Sequence, residues 1–319
     1  QNADAFTTVS DITARECSQL LCCTPDVVTP NGFEENFIPA EPEYTKKRAI
    51  ARQKLLQTAA ALTGSKPDDR ALLIATSGRY EYKNKGLDLF IDAIRRLKEQ
   101  NSADREIIAF ILVPAYVDCA REDLKQRINN GYKGNEALPE AIITHNLHDF
   151  PYDKIVNHLH NAGIANHPDD KIKVIFVPSY LKGDDGIFNL SYYDLLIGMD
   201  ATVFASYYEP WGYTPLESIA FGIPTITTDL SGFGRWVKKV QPDTSLEKGV
   251  EVLHRTDSNF DEVSEEIALQ LEQLSRWSDK QKHKASQAAS ALAKEAEWKN
   301  FIDYYLQAYD IALSKINKN

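Results

Sequence analysis

The residues best suited to chemistry lie in the segment 206–222, with the sequence SYYEPWGYTPLESIAFG. Glu209 follows a short apolar run, ATVFA, and has Tyr207, Tyr208 and Trp211 as neighbours. A carboxylate among aromatic side chains at the carboxyl end of a parallel strand is a frequent arrangement in functional sites. It suits a sugar, because sugar ring faces stack on aromatic rings and sugar hydroxyls need acceptors. The alternative is that Glu209 is an acid on a surface loop.

A predicted helix start follows Glu209. Thr214, Pro215 and Glu217 form the pattern of a capping box, with Thr214 as the N-cap and Pro215 at the first helical position. Gly212 precedes them and allows close backbone approach. Because the first N–H groups of a helix lack helical partners, this segment predicts an anion site. The alternative is that these residues only begin a helix and that Glu217 is only the cap partner.

The second candidate segment is 77–86, SGRYEYKNKG, which follows the apolar run ALLIAT. Arg79 and Lys85 flank a polar turn that leads into a predicted helix. Two cations at a helix entrance suit a diphosphate, which arginine binds in a bidentate manner. The alternative is a solvated loop. Neither the Walker glycine pattern nor the dinucleotide-binding one is present.

Continuous apolar runs that alternate with helical segments predict the elements that position these residues. The predicted strands are 71–76, 107–114, 173–178, 201–205, 225–228 and 249–253, and the helices among them are 87–100, 193–198 and 215–221. The pattern favours an α/β fold with a doubly wound parallel sheet, which binds ligands beyond the carboxyl ends of its strands. We expect only helices in 260–319 and an irregular surface excursion in 116–170.

Charge and composition exclude several classes of function. The chain has 319 residues, with 36 Lys and Arg against 46 Asp and Glu, and a formal net charge of −10. So acidic a chain lacks the broad positive surface of a nucleic-acid-binding protein. Its longest apolar runs are far shorter than the ~20 residues that span a bilayer. We therefore expect neither nucleic-acid binding nor membrane insertion.

The cysteines and histidines give no metal prediction. Four cysteines in this length do not form a disulfide framework, which favours reduced thiols and a cytoplasmic protein. His158 and His160 lie in a polar helical run, and we expect neither of them to bind a metal. We expect His145 to be a buried structural histidine.

Taken together, these segments resemble the glycogen synthase family of the animal and fungal type. YYEPWGYTPLE followed by SGFG at 231–234 carries most of the resemblance, because the E-x7-E pair alone occurs in many nucleotide-sugar transferases. SGRYEYKNKG is similar to the phosphate loop of that family. The segments FTTVSDITARE, PDVVTPNG and THNLHD and the final W-x-x-F-x-x-Y-Y stretch at 298–305 also match.

The resemblance implies a retaining glucosyltransferase of the two-Rossmann (GT-B) architecture that needs no metal and no cofactor. It would transfer glucose from a nucleotide-diphosphate glucose to the non-reducing end of an α-1,4-glucan such as glycogen, with UDP-glucose favoured and ADP-glucose left open. Glu209 would contact the transferred glucose in catalysis, and Glu217 would contact the ribose. The nucleotide-sugar contacts implied by the family are Arg79 and Lys85 at the diphosphate, Tyr192 on the base, and Gly212, Tyr213 and Thr214 at the phosphates.

The resemblance also implies a domain organisation. We expect 1–40 to be the end of an N-terminal Rossmann domain and a linker, 41–295 the nucleotide-sugar-binding domain, and 296–319 a helix that crosses back toward the first domain. The chain would then be the carboxyl-terminal half of a synthase and inactive alone. We expect an exposed apolar patch on 298–313 that favours a homo-oligomer.

Two alternatives and one regulatory prediction remain. The chain could be a binding module for a nucleotide or nucleotide sugar without turnover, or a GT-B transferase with a different acceptor. The segment 277–298 matches the arginine-rich helix that senses glucose 6-phosphate in the family, but it contains no arginine. Because lysine lacks the bidentate grip of arginine on a phosphate, we predict no activation by glucose 6-phosphate.

Overall fold

The computed structural model describes residues 3–316. Within these residues the strands are β1 (Thr7–Thr8), β2 (Val27–Val28), β3 (Leu72–Ser77), β4 (Ile107–Leu112), β5 (Val117–Ala120), β6 (His145–Leu147), β7 (Ile172–Val177), β8 (Ala201–Phe204), β9 (Thr225–Thr228) and β10 (Val250–Leu253). The α-helices are α1 (Asp11–Leu20), α2 (Glu43–Thr63), α3 (Leu87–Gln100), α4 (Glu122–Asn129), α5 (Lys154–Asn161), α6 (Tyr192–Leu196), α7 (Tyr213–Ala220), α8 (Gly232–Val240), α9 (Phe260–Ser275), α10 (Asp279–Glu295) and α11 (Trp298–Ile316). Short 3-10 helices span Glu35–Phe37, Phe150–Tyr152 and Leu246–Lys248.

The main sheet has six parallel strands in the order β10-β9-β8-β3-β4-β7. From β3 the chain first builds outward through β4 to β7, and it then returns to build outward through β8 to β10 on the other side. The strand order therefore reverses between β3 and β8, and open parallel sheets bind ligands at such a point. The predicted doubly wound α/β sheet is confirmed, and the helix α3 and the strand β9 have the predicted bounds.

Apolar cores cover both faces of this sheet. Along β4, Ile107, Ala109 and Ile111 face a core built with α3, α5 and α9. The alternate residues Ile108 and Phe110 face a second core, built with α2, α4 and α6. This alternation explains why the strands are continuously apolar, since both sides of each strand are buried.

The segment 116–170 is more ordered than predicted. It contains the helices α4 and α5 and an antiparallel pair, β5 with β6. The antiparallel pair is short and has an irregular register at Val117 and Cys119, so its sequence lacks the alternation that marks a strand. The predicted irregular excursion is therefore wrong in part.

The two ends of the chain pack together. The parallel pair of β1 and β2 contacts α11, and Tyr305 of α11 donates to the carbonyl oxygen of Thr29 at 3.3 Å. The outer face of α11 exposes Leu306, Tyr309 and Leu313, which are 50%, 61% and 58% exposed. The predicted apolar patch is thus present, whereas a homo-oligomer built on it and the domain bounds at 40 and 295 stay predictions. No helix within residues 3–316 is both long and apolar enough to cross a membrane.

Candidate active site

The candidate site lies where the loops after β3 (78–86) and β8 (205–212) meet. The N–H of Tyr207 donates to the carbonyl oxygen of Asn84 at 2.8 Å and joins the two loops. Gly86 has φ +66°, and a Cβ at this position would overlap the carbonyl oxygen of Ala205. Only glycine allows both this left-handed conformation and this close approach. The two candidate segments of the sequence therefore meet at the reversal point of the sheet.

An ion pair between Lys85 and Glu209 forms the centre of the site. The Lys85 ammonium donates directly to Oε2 of Glu209, and the two side chains are 14% and 19% exposed. The sequence predicts both residues for the site but assigns them to different parts of the substrate. In this structure the charges of Glu209, the catalytic candidate, and Lys85, the diphosphate candidate, neutralise each other. An anion that binds Lys85 must therefore compete with Glu209.

Arg79 lies at the opposite end of the β3–α3 loop. Its guanidinium pairs with Glu81 at 2.9 Å, and its side chain is 80% exposed. Glu81 is also the acceptor for the amide of Asn84, at 2.6 Å. The structure therefore places Arg79 in the predicted loop but does not bring it into contact with Glu209.

The helix α7 begins at Tyr213, two residues earlier than predicted. Gly212 is the N-cap, with φ +118°, so Tyr213 and Thr214 already lie in the first turn. Within the described residues no side chain caps this N-terminus, and the predicted capping box of Thr214, Pro215 and Glu217 is wrong. The physical reason is the left-handed conformation of Gly212, which turns the chain into the helix before Thr214 is reached. The N–H groups of the first turn are thus left uncapped by side chains, as an anion site requires.

Glu217 makes a different contact from the one that a capping box predicts. Its Oε1 accepts a hydrogen bond from the hydroxyl of Tyr193 at 2.8 Å. The Tyr193 ring in turn stacks on Phe221, with ring centroids 5.6 Å apart. Burial raises the pKa of Glu217, and the Tyr193 hydrogen bond opposes this rise. Because Glu217 is not a cap partner, its carboxylate keeps acceptor capacity for a ligand.

Tyr192 reaches the same edge of the sheet from the N-terminus of α6. Its hydroxyl lies 2.8 Å from Oγ of Ser77, the last residue of β3. Burial raises the pKa of Tyr192, so the phenol remains neutral at ordinary pH. Its neighbour Tyr193 is a site residue that the sequence analysis missed, and its position directly after Tyr192 was the available signal.

The SGFG segment holds Glu209 in place through backbone contacts. The N–H of Gly232 donates to the carbonyl oxygen of Glu209 at 3.0 Å, and the N–H of Phe233 donates to that of Trp211 at 2.7 Å. Ser231 caps α8 by accepting from the N–H of Gly234 at 2.9 Å. The two most specific segments of the sequence are therefore hydrogen-bonded to each other.

Arg255 is a further site residue that the sequence analysis missed. It is 6% exposed, its guanidinium donates to the carbonyl oxygen of Ala205, and it lies over the Tyr207 ring at 5.2 Å. Burial lowers the pKa of Arg255. The side chain thereby fixes the start of the β8–α7 loop. Its position just after β10, at the carboxyl edge of the sheet, was the signal that could have identified it.

The histidines have structural partners. His145 is buried, with Nε2 2.9 Å from the carbonyl oxygen of Asp185, and burial lowers its pKa. His158 bonds to the Tyr82 hydroxyl and His160 to Glu140, so the two do not share a partner. Across residues 3–316, no group of three or more His, Cys, Asp or Glu side chains is arranged to hold a metal ion.

Solved structures share this fold. The chain is similar to a glycosyltransferase from Rickettsia africae, with a TM-score of 0.55 and 15% identity over 96% of this chain and 63% of that one. It is also similar to WaaG, a glycosyltransferase involved in lipopolysaccharide biosynthesis, with a TM-score of 0.52 and 13% identity over 96% of this chain and 62% of that one. At these identities the likeness concerns the fold alone, and it agrees with the predicted α/β fold built on a parallel sheet.

The sequence comparisons define the family. The model of the glycogen synthase family matches residues 1–128 and 122–319, so the chain belongs to the glycogen synthase family. It is 29% identical to the glycogen [starch] synthase of Neurospora crassa, over 98% of this chain and 52% of the relative. It is also 29% identical to the glycogen [starch] synthase of Caenorhabditis elegans, over 99% of this chain and 55% of the relative. The chain thus spans about half the length of the curated relatives that it matches.

Proposed function

We propose that this chain is the donor-binding half of a cytoplasmic, retaining glucosyltransferase of glycogen synthesis. The donor is a nucleotide-diphosphate glucose, with UDP-glucose favoured over ADP-glucose, and the acceptor is the non-reducing end of an α-1,4-glucan. Family membership supports the reaction class. The four cysteines, all free in the structure, are consistent with a reducing compartment.

The observation that carries the proposal is the meeting of Lys85 and Glu209 at the reversal point of the sheet. One segment supplies a cation at a helix entrance, and the other supplies a carboxylate two residues before Trp211. The uncapped N-terminus of α7, at Tyr213, lies four residues after Glu209 in the chain. The crevice therefore holds positive and negative charges close together in space, as a sugar diphosphate requires.

These charges fit the two halves of the proposed transfer. As the bond between glucose and diphosphate breaks, negative charge grows on the diphosphate and positive charge grows on the sugar. Lys85, Arg79 and the N–H groups of Tyr213 and Thr214 would stabilise the diphosphate, and Glu209 would face the sugar. We propose that no metal ion is needed, because these groups already supply positive charge at the leaving group.

We also propose a position for the nucleoside at the same edge of the sheet. Tyr192 would stack on the base from the edge of α6, and Glu217 would accept from the ribose hydroxyls beside Tyr193. Recruitment of Lys85 by the diphosphate would release Glu209 toward the sugar. Donor binding would thus convert a closed ion pair into a catalytic carboxylate.

A second candidate function applies to the 319-residue chain by itself, which spans about half the length of its relatives. We propose that this chain binds the nucleotide sugar without turnover and that transfer needs a preceding Rossmann domain in a longer protein. Transfer by that protein to a different acceptor is the remaining alternative.

The test is transfer of glucose from labelled UDP-glucose to glycogen, by the 319-residue chain and by the longer protein that the proposal requires. We expect transfer by the longer protein only, and a loss of at least about a hundredfold in Glu209→Gln. Glu262→Gln, at an exposed position of α9, is the matched control and should leave the rate unchanged. Full activity of Glu209→Gln would overturn the catalytic assignment, and transfer by the chain alone would overturn the assignment as half of an enzyme.

A further inference from the structure

Glu217 lies about one helical turn beyond the uncapped N-terminus of α7. Residues four positions apart lie on the same face of a helix, about 6 Å from each other along its axis. Glu217 therefore shares a face of α7 with Tyr213, the first residue of the helix. A ligand whose phosphates bind at this N-terminus would place the sugar attached to them alongside Glu217.

The carboxylate of Glu217 has one oxygen engaged and one left for a ligand. Its Oε1 accepts from the hydroxyl of Tyr193 at 2.8 Å, and within residues 3–316 this is the one hydrogen bond that the carboxylate receives. The charge of Glu217 is thus held by a neutral phenol and not by a cation. Because an ionised carboxylate has about four acceptor positions, Oε2 keeps capacity for hydroxyl donors.

The Tyr193 ring is fixed by two further rings. It stacks on Phe221 with ring centroids 5.6 Å apart, and it packs against Phe37, from the 3-10 helix Glu35–Phe37, at 5.1 Å. Phe37 and Phe221 also contact each other, with ring centroids 5.7 Å apart. A phenol held in this cluster directs its hydroxyl from a fixed point, so Tyr193 restrains the orientation of the Glu217 carboxylate. Part of the conformational entropy that a free glutamate side chain would lose on binding a ligand is therefore already lost in the fold.

The same hydrogen bond keeps Glu217 an acceptor. Burial raises the pKa of Glu217, and the hydrogen bond from Tyr193 opposes this rise because it stabilises the ionised form. Burial raises the pKa of Tyr193 as well, so its hydroxyl stays protonated at ordinary pH and remains the donor. Tyr193 and Glu217 thus have fixed roles as donor and acceptor.

An oriented, half-buried carboxylate selects for ligand hydroxyl groups, and a vicinal diol offers two of them. A site that is built to hydrogen-bond a hydroxyl rejects the analogue that lacks it, because the acceptor in the site is then left unpaired. For a nucleotide, discrimination at Glu217 therefore falls on the sugar and not on the phosphates.

We propose that Tyr193 is a positioning residue that orients Glu217 toward the ribose diol and thereby sets the preference of the donor site for a ribonucleotide over its 2′,3′-dideoxy analogue. This inference rests on the proposed function, since it takes the nucleotide as the ligand. Tyr193 acts through Glu217 and not through its own contact with the ligand.

The test is calorimetric titration of the 319-residue chain with UDP and, separately, with 2′,3′-dideoxy-UDP. We expect the wild type to bind UDP at least about tenfold more tightly than 2′,3′-dideoxy-UDP. Tyr193→Phe keeps the ring cluster and removes only the hydroxyl. It should weaken UDP binding about fivefold and leave the binding of 2′,3′-dideoxy-UDP unchanged. Added to Glu217→Ala, the same substitution should cause no further loss of UDP affinity, because its target is already absent.

Tyr44→Phe is the matched control, because the Tyr44 hydroxyl donates to the carbonyl oxygen of Phe221 at 2.5 Å. This variant also loses one hydroxyl beside the ring cluster but leaves Glu217 untouched, so UDP binding should be unchanged.

The possible failures are distinguishable. Unchanged UDP affinity in Tyr193→Phe, an equal loss for both ligands, or a further loss in the Glu217→Ala background would overturn the role of Tyr193 and leave the proposed function standing. Equal binding of UDP and 2′,3′-dideoxy-UDP by the wild type would overturn the ribose contact on which that role depends. No binding of UDP by the wild type would overturn the proposed function and this inference with it.

Discussion

The pair of Lys85 and Glu209 gives the sharpest prediction about stability. Both side chains are largely withdrawn from solvent, at 14% and 19% exposure. Lys85→Met removes the ammonium and leaves the Glu209 carboxylate in the crevice without its direct partner. Since a buried charge that loses its partner is costly, we expect Lys85→Met to destabilise the fold.

The magnitude follows from the contact and its burial. A hydrogen bond to a charged group contributes about 1.5–3 kcal/mol, and stranding a mostly buried carboxylate adds to that loss. Residual exposure of both side chains reduces the penalty below that of a fully buried pair. We therefore expect Lys85→Met to lower the free energy of unfolding by about 2–3 kcal/mol. The double variant Lys85→Met with Glu209→Gln should lose less than the sum of the losses in the two single variants. The coupling free energy should be about 1.5–2 kcal/mol.

Urea denaturation of the wild type, both single variants and the double variant gives this coupling from a double-mutant cycle. Lys83→Met is the matched control, because Lys83 lies in the same loop at an exposed position. It should change the free energy of unfolding by less than ~0.5 kcal/mol. Single effects that add within about 0.5 kcal/mol would refute the direct contact between Lys85 and Glu209.

Three further predictions concern Glu217, Gly86 and Asp200. Burial raises the pKa of Glu217, so its ionisation opposes folding as the pH rises above the ordinary Glu pKa of ~4.3. Glu217→Gln should thus raise the midpoint of thermal unfolding at pH 7. In calorimetric titrations it should weaken UDP binding about tenfold and leave pyrophosphate binding unchanged. An equal loss of affinity for UDP and pyrophosphate would contradict a ribose contact. In urea denaturation, Gly86→Ala should lower the free energy of unfolding by about 3 kcal/mol, because it places a Cβ on a residue in the left-handed conformation and against the backbone of Ala205. Gly131→Ala, at φ +60° but in open space, should lower it by only about 1 kcal/mol. Asp200 directly precedes β8 and forms ion pairs with Arg48 and Arg52. Burial raises the pKa of Asp200, but the two arginines outweigh this effect and hold the pKa below its usual range. Its contribution to stability is therefore complete above the ordinary Asp pKa of ~3.9 and is lost as the pH falls through the lowered value. Asp200→Asn should lower the free energy of unfolding by about 3 kcal/mol at pH 7 and by less at pH 3. An equal effect of Asp200→Asn at the two pH values would contradict this assignment.

The strands of the main sheet were predictable because their burial on both faces makes them continuously apolar. β3, β4 and β7 are buried at every position, and their sequences show it directly. By contrast, the pair of β5 and β6 is short and half exposed, so no periodic signal marks it. The sequence therefore predicts the scaffold of the site better than its irregular edge.

The site was predictable in its segments but not in its contacts. That both segments begin at the carboxyl edge follows from the parallel sheet. That Lys85 pairs with Glu209, 124 positions away, depends on the strand order and on the close approach at Gly86. The helix start at Tyr213 depends on the backbone conformation of Gly212, which residue types alone do not reveal.

The cleft lined by Tyr80, Tyr82, Tyr116 and Tyr152 could not be predicted for a related reason. Its rings come from three separate segments, after β3, after β4 and before α5. Two of those segments lie in the stretch that the sequence predicted as irregular. Only the folded chain brings Tyr80 and Tyr152 to the same cleft.

The most direct test of the central claim is calorimetric titration of this chain with UDP and, separately, with ADP. We expect UDP to bind more tightly than ADP. Arg79→Ala and Lys85→Met should each weaken binding at least about tenfold, through the loss of a charged contact to the diphosphate. Lys83→Met should bind UDP as the wild type does. Binding that is unchanged in Arg79→Ala and Lys85→Met, or no binding of either nucleotide by the wild type, would contradict a donor site between β3 and β8.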